Sequence, residues 1–123
     1  MNEATEAFWL YVDREWGLPG RAEVAILLGT DPDLLPGNGS LLGVRLWQET
    51  VYPGFQFDRR TGRVLEAIPR LVSAARELGL GNEDLVFWLC SPSRHYGGDC
   101  PVEHLDDSDD VVEKLRLSES VEW

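Results

Sequence analysis

The chain has 123 residues, of which 43% are hydrophobic, and its 22 acidic against 11 basic residues give a formal charge of −11. This length suits one domain that buries roughly two thirds of its unfolded surface. No apolar run reaches the ~18 residues of a membrane helix, and the acidity opposes nucleic acid, because counterion release by Lys and Arg supplies most non-specific affinity for it. Glu3 and Glu6 stand where a secretory signal carries basic residues, so a cytoplasmic location is expected, with Cys90 and Cys100 as free thiols.

Ala4 to Trp16 has helical spacing, with Phe8, Val12 and Trp16 on one face and Gly17 as the stop. Arg21 to Leu28, RAEVAILL, is a second short helix closed by Gly29. A helix of this form followed by a hairpin resembles the opening of a winged helix-turn-helix DNA-binding module. The recognition helix such a module needs is not foreseen, since Pro32, Pro36, Gly37 and Gly39 interrupt the segment Thr30–Gly43. No Lys or Arg occurs between Arg21 and Arg45, and Asn38 alone could address a base edge. DNA binding is therefore expected to be lost, which makes residues 1–58 a degenerate winged-helix-like part.

Val44 to Phe57, VRLWQETVYPGFQF, reads as one β-hairpin turning at Gln48-Glu49, with Trp47 and Tyr52 as cross-strand aromatics and Asp58 to Gly62 as the following turn. Residues 59–123 read as a helical block. Ile68, Leu71, Val72, Ala75 and Leu78 form a stripe on a helix that begins near Glu66 or Ala67, where Pro69 is harmless. Asn82 starts a second helix that ends before Pro92, and Leu85, Trp88 and Leu89 share a face with Phe87 pointing away. Ser91 to Gly98 is a loop, Pro101 opens a short helix, and Ser108 to Leu117 is a last helix with Val111, Val112 and Leu115 inward. The expected fold class is α+β, mainly α: a small helical domain with one β-hairpin.

The order YPGFQFD, GRVLEAIPRLVSAARELGL, Trp88-Leu89 followed by Ser91-Pro92, and GGDCPVEHL resembles the C-terminal toxin-binding domain of the Xre/MbcA/ParS-type antitoxins. The resemblance covers Tyr52 to about Leu117. It implies a binding protein that neutralises a cognate toxin, with a RES-type NAD-consuming enzyme favoured, by covering its active site; a homodimer is an assembly open to it. The sequence departs from the family's pattern at Asp99-Cys100, where basic residues are frequent.

Arg94, His95, Tyr96, Gly97, Gly98 and Trp123 are the candidate partner-binding residues. No enzyme activity and no cofactor are expected. Cys90, His95, Cys100 and His104 fall in one window and constitute the zinc alternative, but their spacing matches no standard finger, so no metal is expected. A nucleophilic Cys90 or Cys100 with His95 or His104 as base is the catalytic alternative, and it lacks a recognisable orienting residue. The run Asp106, Asp107, Asp109 and Asp110 is either a helix start or the surface of an acidic nucleic-acid mimic. A transcription-regulator-like interaction protein is the remaining alternative.

Overall fold

The computed structural model describes residues 2–35 and 40–119. It is mainly helical with two small antiparallel ribbons, in agreement with the expected class. The helices are α1 (Glu3–Trp16), α2 (Arg21–Leu28), α3 (Ala67–Glu77), α4 (Asn82–Leu89) and α5 (Ser108–Ser118).

Helix α1 starts where the Asn2 side chain accepts a hydrogen bond from the Thr5 N–H at 2.8 Å, with Glu3 and Glu6 in the first turn. It stops at Gly17, whose φ of 84° a glycine adopts without steric cost. Its inner line is Trp9 and Val12, both fully buried, while Phe8 and Trp16 only flank the core. The expected Phe8–Val12–Trp16 face is thus rotated toward Trp9. Phe8 and Trp9 instead pack on Phe87 of α4, with centroid separations of 4.3 and 5.7 Å. Phe87, expected to point away, closes the seam between α1 and α4.

Two residues connect the first ribbon, in which β1 (Val44–Leu46) pairs with β2 (Glu49–Val51) in the register Val44 to Val51 and Leu46 to Glu49. The turn is Trp47-Gln48 rather than Gln48-Glu49, with φ of 49° and 68°. Positive φ at both positions matches the right-handed twist of the strands and is the geometry two-residue hairpins favour. Trp47 therefore sits at the tip, 53% exposed, and Tyr52 is buried beyond the end of β2. They are not cross-strand partners.

Strand β2 does not continue to Phe57. Pro53 leads into a 3-10 turn over Gly54–Gln56, and a second ribbon follows, β3 (Phe57–Asp58) against β4 (Arg63–Val64). The backbone of this corner is tied to the α1–α2 connection: Tyr52 N–H donates to the Pro19 carbonyl and Gly54 N–H to the Gly17 carbonyl, each at 2.9 Å.

The principal apolar cluster takes Trp9, Val12, Leu42, Val44 and Phe55 from the first 58 residues and Ile68, Leu71, Leu85, Leu89 and Leu115 from the remainder. The parts divided at residue 58 in the sequence thus share one core. A smaller cluster of Val24, Leu41, Tyr52 and Phe57 seats α2 on the ribbons. Between α2 and β1 the described residues contain only a 3-10 turn, Pro32–Leu34, held to α2 by Arg21 Nε donating to the Pro32 carbonyl at 3.0 Å.

Helix α5 turns Val111, Val112 and Leu115 inward as its spacing predicts, and it is part of the core. Val111 and Leu115 are fully buried against α3, and Arg70–Asp109 and Arg116–Glu77 pair across the same seam at 2.6 and 2.9 Å. Among the described residues, no helix is long and apolar enough to cross a membrane.

Candidate partner-binding site

The Ser91–Gly98 loop leaves α4 and is set by local chemistry. The Ser93 hydroxyl accepts from the His95 N–H at 3.2 Å, which opens a single 3-10 turn, Arg94–Tyr96. Gly97 and Gly98 then reverse the chain with φ of 63° and 101°, a path closed to most side-chain-bearing residues. Gly98 N–H returns to the Ser93 carbonyl at 2.9 Å, and Ser93 N–H donates to the Asp99 carbonyl at 3.0 Å. Five of the candidate residues thus form one closed loop; Trp123 lies outside the described residues.

Tyr96 is the brace of this loop. Its ring stacks on His104 at 4.1 Å with an interplanar angle of 7°, and its hydroxyl donates to Asp110 Oδ2 at 2.8 Å. Burial and the adjoining Asp110 carboxylate push the Tyr96 phenol well above its ordinary range. The same hydrogen bond, followed by one from Lys114, holds the Asp110 carboxyl below the usual carboxylate range. His104 approaches Asp99 at 3.3 Å on its other side. Tyr96 and His104 are therefore engaged internally, which leaves Arg94 and His95 as the outward chemistry of the loop.

Arg94 and His95, with Trp88, Ser91 and Ser93, line a shallow groove of about 250 Å³ that reaches Ser118 and Glu119 at the end of α5. Ser91 Oγ donates back to the Phe87 carbonyl at 2.5 Å, capping the end of α4. Pro92 shapes the wall of this groove, and Gly97 and Gly98 turn the loop back outside it.

The structure does not gather the zinc window into a metal site. Among the described residues no group of three or more His, Cys, Asp or Glu side chains could hold an ion. Cys90 ends α4 facing the core, and burial pushes its thiol up to about 12. Burial, with Glu103 and Asp99 nearby, also raises the Cys100 thiol. A thiol in either setting is a poor nucleophile at neutral pH, and His104 is hydrogen-bonded to Asp99 rather than to a cysteine. Cys90 and Cys100 thus lack the activated setting that the Cys-His alternative requires.

The aspartate run is largely occupied by structure. Asp107 caps α5 by accepting from the Asp110 N–H at 3.1 Å, Asp109 pairs with Arg70, and Asp110 pairs with Lys114 and Tyr96. Its carboxylates therefore build the α5 start and the Tyr96 brace, and only Asp106 remains without a partner among the described residues.

Sequence reading missed Gln56. This residue of the FQFD motif is the one fully buried polar side chain among the described residues. It binds the backbone of Leu42 rather than a ligand. The Phe55-Gln56-Phe57 alternation reads as a strand with Gln56 facing water, so nothing local marks it as buried. Asn82, expected to cap α4, is instead its first helical residue after the N-cap Gly81: its side chain donates to the Gly43 carbonyl at 2.7 Å, while Asp84 accepts from the Gly81 N–H and does the capping.

No protein-family profile matches the chain, and no curated protein matches it significantly. Among solved structures, the chain is similar to the NMR structure of Rv2175c, with a TM-score of 0.67 and 22% identity over 85% of this chain and 80% of that one. At this identity the likeness concerns the fold, and it places this arrangement of helices and ribbons among folds already observed by experiment.

Proposed function

We propose that this chain is a non-catalytic binding protein of the antitoxin type. It neutralises a cognate toxin, with a RES-type NAD-consuming enzyme favoured, by lying across its active site in the cytoplasm. The observation that carries the reading is the closed Ser93–Asp99 loop, braced by Tyr96 on His104 and Asp110, which presents Arg94 and His95 beside a groove. A loop held in shape before binding loses little conformational entropy on association, which favours a stoichiometric protein complex. The unactivated thiols and the occupied histidine favour occlusion over chemistry.

The test is co-expression with the product of the adjacent reading frame. A stable complex on size exclusion, and relief of that product's growth arrest with recovery of cellular NAD, is the expected result. Arg94→Glu with His95→Glu should weaken the complex about tenfold or more, since truncating or reversing an interface anchor costs at least ~1–2 kcal/mol. An adjacent product that leaves growth unchanged and forms no complex would overturn the reading.

A further inference from the structure

A second groove, of about 630 Å³, lies where the C-terminus of α1 meets the Gly54–Gln56 turn and the 3-10 segment Pro101–His104. Its apolar side chains are Trp16, Phe55, Phe57, Leu65, Val102 and Leu105. Phe55, Phe57 and Leu105 are nearly covered by the core, whereas Trp16, Leu65 and Val102 are partly exposed. Charged groups face it from three elements. Glu15 comes from α1, Glu103 and Asp106 from the 3-10 segment and its end, and Arg59 from the β3–β4 turn. Glu103 already accepts from the Cys100 N–H at 2.9 Å, and Glu15 lies 3.8 Å from Arg14. Asp106 is unpartnered among the described residues.

The groove also receives the last turn of α1, a 14-residue helix whose terminal carbonyls carry the negative end of the macrodipole. Three carboxylates and this helix end outweigh Arg59 and the Arg14 guanidinium beside Glu15, so the potential over an apolar floor is negative. We propose that this groove docks a segment of a partner protein in which Lys or Arg side chains alternate with apolar or aromatic ones. The apolar side chains cover Leu65 and Val102, and the cations meet Glu15, Asp106 and the α1 terminus. The volume falls within the ~300–1,000 Å³ of ligand clefts, and its open shape suits a peptide segment better than an enclosed small molecule. The proposal rests on the reading of this chain as a binding protein and adds a contact surface distinct from the Arg94–Gly98 loop.

The probe is a fluorescein-labelled decapeptide alternating Lys with Leu and Trp, titrated into the full chain by anisotropy. A counterpart with Glu for Lys, and a groove variant carrying Glu15→Gln and Asp106→Asn, test the charge. Glu83→Gln with Glu113→Gln removes the same charge elsewhere. The groove variant should bind the basic peptide about fivefold more weakly, while the distant pair stays within about twofold, because exposed charge pairs act locally and are screened over ~8–10 Å. Methyl resonances of Leu65, Val102 and Leu105 should shift on titration. Equal loss in both double variants, equal binding of the acidic peptide, or shifts confined to other methyl groups would overturn the groove. If the adjacent-gene product binds wild type and groove variant alike, the groove fails and the antitoxin reading stands. If no such complex forms while the peptide maps to the groove, the antitoxin reading fails and the groove stands.

Discussion

The Gln56 side chain and the Leu42 backbone form a two-bond bracket: Leu42 N–H donates to Gln56 Oε1 and Gln56 Nε2 donates to the Leu42 carbonyl, both at 2.8 Å. A third bond runs from Nε2 to the Pro53 carbonyl at 3.0 Å. The amide thus imitates a strand neighbour for a residue that has none. Gln56→Leu keeps the volume but leaves buried donors and acceptors unpaired, each costing about 1–3 kcal/mol. The variant should lose about 3 kcal/mol in urea unfolding. Gln56→Glu should lose more at neutral pH, because a carboxylate cannot donate to either carbonyl and resists burial. A Gln56→Leu midpoint equal to wild type would show the bracket to be energetically idle.

Gly54 is required for space. A Cβ built there overlaps the Trp16 carbonyl oxygen, and the collision is with backbone rather than with a side chain that could rotate away. Because Gly54 N–H also holds the Gly17 carbonyl at 2.9 Å, relief would have to move the α1 terminus and lose that bond. Gly54→Ala should destabilise by about 2–3 kcal/mol, at the upper part of the overpacking range. Gly79→Ala is the contrast: open space surrounds its Cβ, so any cost comes from its φ of 78° alone. Thermal melts of the two variants separate overlap from backbone strain.

Acid should loosen the loop brace. Asp110 has a folded-state pKa depressed by the Tyr96 hydrogen bond and by Lys114, so its contribution is complete above the unfolded carboxylate value of ~3.9 and is lost as pH falls through the folded value. Tyr96, raised by burial and by Asp110, works in the opposite direction: its contribution is complete below ~10 and is lost as pH rises beyond it. Asp110→Asn should therefore flatten the acid limb of the stability profile below about pH 4, and Tyr96→Phe should flatten both limbs. Chemical denaturation at a series of pH values reads this directly; unchanged limbs in Tyr96→Phe would refute the linkage.

The α3–α5 seam should draw its stability from apolar burial. Leu115→Ala removes a fully buried side chain and should cost about 3 kcal/mol, within the 2–5 kcal/mol typical of such truncations. Arg70→Ala breaks the pair with Asp109, whose side chains are 41% and 90% exposed, and should cost under about 1 kcal/mol and less still in high salt. Urea unfolding with and without 1 M NaCl distinguishes them. An Arg70→Ala cost equal to that of Leu115→Ala would place the seam's energy in its ion pairs.

The helices were legible where a strong local signal coincided with a long apolar stripe. Pro69 near the start of α3, the acids before α5 and the glycines after α1 and α2 all act within one turn, and the structure agrees with them to within a residue or two. The ribbons were less legible. The Trp47-Gln48 turn carries none of the Asn-Gly or Gly chemistry that announces a two-residue hairpin. Gln56 looked like a strand residue because its neighbours Phe55 and Phe57 are strand formers, yet the 3-10 turn is stabilised by the distant Leu42 backbone. Among the candidate residues, Gly97 and Gly98 were readable as a positive-φ turn, since that property belongs to the residue itself. The engagement of Tyr96 with His104 and Asp110 was not, because it depends on which elements meet.

The sequence by itself determined the class of the protein, its acidic surface, the positions of its helices and the place of the Ser91–Gly98 loop. These follow from hydrophobic period, capping chemistry and glycine conformational freedom, which act over a few residues. Only the tertiary structure decided that α5 packs on α3, that Trp9 rather than Phe8 anchors α1, and that Gln56 is a bracket. It also decided that Glu15, Asp106 and the end of α1 share one groove. The reason is that burial and charge juxtaposition are set by packing between segments up to about a hundred residues apart, information that no local window of sequence contains.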